Sequence, residues 1–178
     1  MLGGFLAEVG RVFDVIVVGG GPAGLSAALM LGRCRRRVLL CDDGRPRNRH
    51  SHALHGYLTR DGIDPAELNS IGRGELDQYD VTCRDIHVKA AVRAGDLFEV
   101  TLANGDVDHS KYLLIATGVV DDLPDVAGLR ECYGRSVFHC PYCDGWERRD
   151  QRSRRWARVR AAPCLHWRSR RGARMSCY

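Results

Sequence analysis

The sequence predicts an α/β fold built on a parallel sheet in a three-layer arrangement, and three observations support this prediction. A continuous apolar segment of mostly β-branched residues occupies 14–18. A glycine-rich turn and a segment rich in Ala and Leu follow it directly. A second apolar segment, 38–41, then ends at an acidic residue. A strand, a turn, a helix and a strand in this order are typical of the first βαβ unit of an open parallel sheet.

The two apolar segments are predicted to be buried strands. Residues 14–18 (Asp-Val-Ile-Val-Val) show no alternation of polar and apolar side chains, which is typical of a strand covered on both faces. Residues 25–31 between the strands favour a helix because they are mainly Leu and Ala.

The turn between strand and helix carries the Gly-x-Gly-x-x-Gly pattern at Gly19, Gly21 and Gly24. The first glycine makes a tight turn, the second lets a pyrophosphate approach the backbone, and the third allows close packing of the helix. The helix N-terminus then faces the phosphates with its unpaired N–H groups. Asp42 lies about twenty residues further on, where a carboxylate accepts hydrogen bonds from ribose hydroxyls. Because an acid there disfavours a 2′-phosphate, the pattern predicts FAD or NAD at this site.

A long polar connection spans residues 43–63. Three His within six residues suggest a metal site, but no carboxylate or thiolate stands at ligand spacing beside them and neighbouring Arg residues repel cations. No metal site is therefore predicted. Long connections are often functional or disordered. Two interpretations stay open: a solvated loop, or a loop in which Arg47, Asn48 and His55 line a flavin.

A second helix is predicted to begin at residue 65 and to extend to about residue 79. Asp64 is suited to the N-cap and Pro65 to the first helical position.

The following segments predict further strands. Residues 85–92 and 97–102 alternate weakly and lie near the Asn-Gly turn signal at 104–105, so they predict a small antiparallel layer. Residues 111–116 predict another buried parallel strand. It ends at Thr117-Gly118, where the backbone can come close to a cofactor.

The segment 139–145 (His-Cys-Pro-Tyr-Cys-Asp-Gly) contains the only closely spaced pair among eight Cys. Cys140 and Cys143 can form an intramolecular disulfide and open it again, and Asp144 can return a proton to a leaving thiolate. The pair is predicted to start a helix, whose dipole favours the thiolate. A structural zinc site would need two further ligands, and Cys132 and His139 do not supply them at a zinc-binding spacing.

Composition and charge narrow the class of protein. The chain has 178 residues and a formal net charge of +5. Residues 152–178 hold nine of its 27 Lys and Arg and none of its 22 Asp and Glu, so the preceding part is mildly acidic. No apolar run approaches the roughly 20 residues of a membrane helix, and residues 1–6 lack the features of a signal peptide. A cytoplasmic protein is predicted.

Four segments together resemble the FAD-dependent pyridine nucleotide-disulfide oxidoreductases of low molecular mass, the thioredoxin-reductase-like family. They are residues 15–24, 38–42, 112–118 and 139–147. The resemblance implies that the glycine turn and Asp42 hold the adenosine half of FAD. It also implies that the redox Cys pair lies in an inserted NADPH domain.

The resemblance further implies the roles of individual residues. Cys143 would face the flavin, Cys140 would exchange with the substrate disulfide, and Asp144 would donate and accept the proton. The residues expected to bind the cofactor are Gly19, Gly21, Pro22, Ala23, Gly24, Asp42, Arg47, Asn48, His55, Ala116, Thr117 and Gly118. Family members use FAD and NADPH, act on thioredoxin-like proteins or small-molecule disulfides, and form homodimers.

The resemblance predicts three parts of the chain. Residues 1–118 form the N-terminal part of an FAD-binding domain, and 119–151 form a linker and the start of the NADPH domain. The resemblance ends at Gln151, and a second glycine-rich loop does not follow. Residues 152–178 are expected to be an unstructured Arg-rich tail produced by a frameshift; a nucleic-acid-binding arm is the alternative.

The resulting hypothesis is an incomplete flavin-dependent disulfide oxidoreductase that does not oxidise NADPH in its 178-residue form. One alternative is an FAD-dependent dithiol oxidase that closes a disulfide in a natural product and passes electrons to oxygen. The other is a non-catalytic fragment that interacts through its Arg residues.

Overall fold

The computed structural model describes residues 12–150 and two short strands at 166–168 and 174–176. The described residues up to Arg49, together with Pro65–Asp122, form one compact unit, called unit one here. Unit two contains His50–Asp64 and the described residues from Leu123 onward. The boundary after residue 122 lies close to the expected one after residue 118. The sequence did not indicate that 50–64 belongs with the second unit, and the expected domain functions stay predictions.

Unit one is a six-stranded sheet with two helices, which confirms the α/β prediction. Its elements are β1 Phe13–Val18, α1 Pro22–Arg33, β2 Val38–Asp42, α2 Pro65–Gly74, β3 Val81–Asp85, β4 Val88–Ala94, β5 Leu97–Leu102 and β6 Val107–Ile115. The strands follow the order β3-β2-β1-β6-β5-β4 in the sheet. The pairs β3–β2, β2–β1 and β1–β6 are parallel, and the pairs β6–β5 and β5–β4 are antiparallel.

Strands β1 and β2 are buried on both faces, as their continuous apolar sequence predicts. The strand expected at 111–116 is parallel to β1, but the expectation that it is buried is wrong, because Tyr112 and Ile115 are exposed. One buried cluster joins Val15 and Val17 of β1 to Leu25 and Ala28 of α1. A second cluster holds alternate residues, including Ile16. Burial of apolar side chains on each face of the sheet therefore stabilises the fold, by about 25 cal/mol for each Å² of apolar surface removed from water.

The predicted antiparallel layer is present, and β6 connects it to the parallel sheet. Val100 and Leu102 of β5 pack in the same cluster as Ile16, on the face away from α1. The Asn-Gly turn at 104–105 connects β5 to β6, so β6 begins earlier than the expected 111. Ser110 pairs with Phe13 in parallel register and with Phe98 in antiparallel register.

The second helix and the strand after it differ from expectation. The helix ends at Gly74 rather than near residue 79. The next residues form a tight turn, in which the N–H of Leu76 donates to the carbonyl of Arg73 at 3.0 Å. This turn buries Leu76 in the core. Strand β3, which was not predicted, pairs in parallel with β2 and contains exposed polar residues.

Unit two consists mostly of turns in its described part. It contains two short helices, α3 Leu129–Cys132 and α4 Pro141–Asp144. The backbone of His166–Arg168 (β7) pairs with Arg174–Ser176 (β8), which differs from the expectation of a tail without secondary structure. The rest of the tail and residues 1–11 lie outside the described residues. In the part of the chain that is described, no helix has the length and apolar character to cross a membrane.

Candidate functional site

A cavity of about 540 Å³ in unit one lies where β1, β2 and β6 end. In an open α/β sheet, ligands bind at these carboxyl ends. Ten of the twelve residues expected to bind the cofactor line it: Gly19, Gly21, Pro22, Ala23, Asp42, Arg47, Asn48, Ala116, Thr117 and Gly118.

The glycine turn has the geometry that a phosphate group requires. A methyl group placed on Gly21 would meet no atom within 4 Å, so the backbone there is open to a ligand. Gly19 has φ of 107°, and a methyl group on it would collide with the carbonyl of Ala116. Gly24 is buried, and a methyl group on it would collide with the carbonyl of Gly19. This explains why Gly24 does not line the cavity: it packs the helix against the turn.

The first turn of α1 leaves donors for an anion. Its N-cap, Gly21, has no side chain to accept a hydrogen bond from the helix, and Pro22 follows at the first position. The helix N-terminus carries a partial positive charge. A pyrophosphate at this end of the cavity would therefore be stabilised.

Asp42 lines the cavity and is held by a residue that the sequence did not indicate. Arg73 of α2 donates to its Oδ2 at 2.8 Å and to Asp85 Oδ1 at 2.6 Å. An Arg on a polar helix looks like a solvated side chain in the sequence, so no local pattern distinguishes it.

A second salt bridge involves Arg47, which lines the cavity. The Arg47 guanidinium donates from Nε to Asp121 Oδ2 at 2.8 Å and from Nη2 to the other oxygen of that carboxylate. Because 74 positions separate the two residues, no local sequence pattern pairs them. The bridge ties the loop after β2 to the segment after β6.

Asp43 lies beside Asp42 at the cavity and contacts Arg45 and His87. A hydrogen bond from the Arg45 guanidinium is the largest cause of the lowered pKa of Asp43. Burial opposes it, and the hydrogen bond with His87 adds a smaller lowering effect. His87 Nδ1 lies 3.2 Å from Asp43 Oδ2 and also lines the cavity. No sequence pattern indicated His87 as a site residue.

These residues fit the adenosine diphosphate half of FAD. An open glycine turn and a helix N-terminus suit the pyrophosphate, and Asp42 suits a ribose diol. When bound, FAD supplies two-electron redox chemistry.

The predicted Cys pair forms a disulfide in unit two. Cys140 and Cys143 are joined, with Cα atoms 5.3 Å apart. As expected, the pair starts a helix: Cys140 is the N-cap of α4, and its Sγ accepts a hydrogen bond from the N–H of Cys143 at 3.1 Å. The free cysteines in the described residues are Cys34, Cys41, Cys83 and Cys132.

Asp144 lies at the end of α4, next to Cys143. Burial raises the pKa of Asp144, while the nearby charges of His139 and His55 act in the opposite direction. A carboxyl group with a raised pKa keeps its proton at higher pH, which suits a proton donor.

His55 lies outside the set of residues that line the cavity in unit one. Its ring nitrogens are 3.6 Å from Asp61 and 3.7 Å from Glu147, all in unit two. Its expected contact with a flavin stays a prediction.

Comparison with known proteins identifies the family of the chain. Residues 13–160 match the family described as pyridine nucleotide-disulphide oxidoreductase. The chain is 40% identical over 146 residues to the "Probable thioredoxin reductase" of Arthroderma benhamiae, covering 78% of this chain and 36% of that protein. It is 38% identical to the thioredoxin reductase sirT of Leptosphaeria maculans over 83% of this chain and 46% of that protein.

A solved structure shows the same fold. The crystal structure of an oxidoreductase from Agrobacterium tumefaciens has a TM-score of 0.75 and 44% sequence identity, covering 79% of this chain and 48% of that one. The chain thus spans less than half the length of these three proteins. The family match covers most of the chain and includes the glycine turn and the Cys pair, and the chain therefore belongs to the pyridine nucleotide-disulphide oxidoreductase family.

Proposed function

We propose that this chain is the FAD-holding and disulfide-bearing part of a thioredoxin-reductase-like oxidoreductase. The observation that carries the proposal is that one chain combines the glycine-turn cavity with a Cys140–Cys143 disulfide next to a carboxyl group of raised pKa. The names of the relatives, which are thioredoxin reductases, support this choice.

In the proposed reaction, bound FAD would supply two-electron redox chemistry, with NADPH as the electron source. The Cys140–Cys143 disulfide accepts two electrons and two protons and becomes a dithiol. Residues of unit one would hold the cofactor: the glycine turn and the α1 N-terminus would bind its pyrophosphate, and Asp42 would bind its ribose.

The dithiol then reduces a substrate disulfide in two exchanges. The Cys140 thiolate attacks one substrate sulfur, which forms a mixed disulfide and releases the other substrate sulfur as a thiolate that takes a proton. Cys143 then attacks Cys140, which re-forms the Cys140–Cys143 disulfide and releases the second substrate thiol. Asp144 supplies a proton to a leaving substrate thiolate and regains one from the Cys thiol that loses its proton to become the attacking thiolate. The substrate class is a thioredoxin-like protein disulfide or a small disulfide.

The test uses the 178-residue chain, supplied with FAD and reduced anaerobically by light. Thiols are then trapped with an alkylating reagent and counted by mass spectrometry, with Cys143→Ser as the control. The expected result is two more trapped thiols than in the unreduced chain, at Cys140 and Cys143, only when FAD is present. A disulfide that stays closed beside reduced FAD would contradict the proposal and favour a non-catalytic fragment.

A second step of the same experiment separates the two directions of electron flow. The reduced chain is mixed either with a thioredoxin-like disulfide or with oxygen. For a reductase, the disulfide re-forms Cys140–Cys143 faster than oxygen does. Faster recovery with oxygen would contradict the reductase and favour the dithiol oxidase.

A further inference from the structure

Arg73 connects the ends of two neighbouring strands through their carboxylates. Its Nη2 lies 2.8 Å from Asp42 Oδ2, at the end of β2, and its Nη1 lies 2.6 Å from Asp85 Oδ1, at the end of β3. A guanidinium with its planar fork is well suited to hold two acceptors at fixed positions.

The two ends of this bridge differ in exposure. The Asp42 side chain is 18% exposed and lines the cavity, whereas the Asp85 side chain is 79% exposed. Exposed ion pairs contribute little to stability. We therefore expect the contact of Arg73 with Asp42 to matter more than its contact with Asp85. Both carboxylates raise the pKa of Arg73, with the hydrogen bond to Asp85 the largest cause, so Arg73 stays charged.

The contacts of Asp42 are unequal between its two oxygens. Arg73 binds Oδ2, and the same oxygen lies 2.7 Å from where a methyl group on Gly20 would be. The glycine turn and Arg73 thus fix one side of the carboxylate. Because both contacts are made with Oδ2, we expect Oδ1 to be the oxygen that accepts a hydrogen bond from a ligand hydroxyl.

We propose that Arg73 is a positioning residue for adenosine recognition, acting through Asp42 on the ribose hydroxyls of the bound dinucleotide. The inference rests on the proposed FAD site. Arg73 also offsets the negative charge of Asp42, which would otherwise repel the pyrophosphate of the same ligand.

The test compares FAD with its analogue whose adenosine lacks the 2′-hydroxyl, titrated into each variant while flavin fluorescence is followed. The wild-type chain is expected to prefer FAD by about tenfold, because a hydroxyl bound to a charged acceptor is worth more than a neutral hydrogen bond. In the Arg73→Gln variant, the preference for FAD over the analogue is expected to fall towards the preference measured in the Asp42→Asn variant. In Arg73→Lys, which keeps the charge, it is intermediate.

Asp85→Asn is the matched control, since it alters the exposed end of the same bridge, and it keeps the wild-type preference. Urea unfolding of each variant without ligand shows whether the fold is retained. Equal weakening of both ligands in Arg73→Gln and Arg73→Lys would overturn the inference and show a purely structural role. Absence of FAD binding by the wild-type chain would overturn the proposed function, and the inference with it.

Discussion

The carbonyl oxygen of Gly19 occupies the space where a side chain on Gly24 would begin. Gly19 is the first residue of the turn after β1, and Gly24 is buried in the first turn of α1. The contact fixes the distance between strand end and helix, and it places the open backbone at Gly21 between them. Gly24 thus provides close packing of helix on strand end, and Gly21 provides access for a ligand.

Replacing Gly24 by Ala is expected to destabilise the protein by about 1–3 kcal/mol, the usual cost of overpacking. Urea unfolding measures the change. Gly21→Ala is the matched control, since a methyl group there meets no neighbour and φ is −74°. Its stability should change by less than about 0.5 kcal/mol. FAD affinity should nevertheless fall about tenfold, because the methyl group would occupy the path of the pyrophosphate. Equal stability of the two variants would contradict this assignment.

Cys41 is expected to resist alkylation in the folded protein. It is 1% exposed, and burial, with a smaller contribution from Asp108, raises its pKa to about 11. At pH 8 about one thiol in a thousand is then ionised, and the thiolate is the reactive form. Mass spectrometry after iodoacetamide treatment should find Cys34, which is exposed, modified first. Similar rates at the two sites in the folded chain would be incompatible with this structure.

Asp144→Asn is expected to stabilise the fold at neutral pH. The folded-state pKa of Asp144 is raised by burial, so the folded protein binds the proton more tightly than the unfolded chain does. The stability gained from this proton is present below the unfolded pKa and lost as pH rises through the folded one. The variant should therefore exceed wild type above the folded pKa, and the difference should shrink as pH falls towards about 3.9. Urea unfolding at several pH values checks this, and a difference that grows in acid would refute it.

The same substitution is expected to slow thiol–disulfide exchange at Cys140–Cys143 by about a hundredfold, the usual contribution of a positioned acid. The rate is measured as re-formation of the disulfide by a substrate disulfide under rapid mixing. Glu147→Gln is the control, because Glu147 is a nearby carboxylate that contacts His55 and does not adjoin Cys143. Equal slowing in both variants would point to a general charge effect instead of proton transfer.

The sequence predicted the parts of the fold whose signal is local. The continuous apolar strands β1 and β2, the turn between them and the start of α2 were recognisable because burial on both faces and helix capping leave clear patterns. Strand β3 escaped prediction because it lies at the sheet edge, and its exposed Thr82 and Cys83 lack the apolar run of a buried strand. The early start of β6 was missed because Asp108, His109 and Ser110 are polar and pair with β5.

The candidate site shows the same limit. Its glycines, Asp42 and the Cys pair follow from motifs, which encode contacts between residues close in sequence. Arg73 and Asp121 are defined by partners far along the chain, Asp42 and Arg47, and only the folded backbone brings them together. The assignment of His55 to unit two could not be predicted, because loop 50–64 carries no signal for which unit it joins.

The most direct test counts the electrons that the FAD-loaded chain takes up in an anaerobic dithionite titration. If one chain holds both FAD and a redox-active Cys140–Cys143 disulfide, uptake reaches about four electrons per chain, since each group is a two-electron couple. Uptake in Cys143→Ser then stops at about two. A wild-type chain that takes up only about two electrons with FAD bound would contradict the coupling of the cofactor to the disulfide.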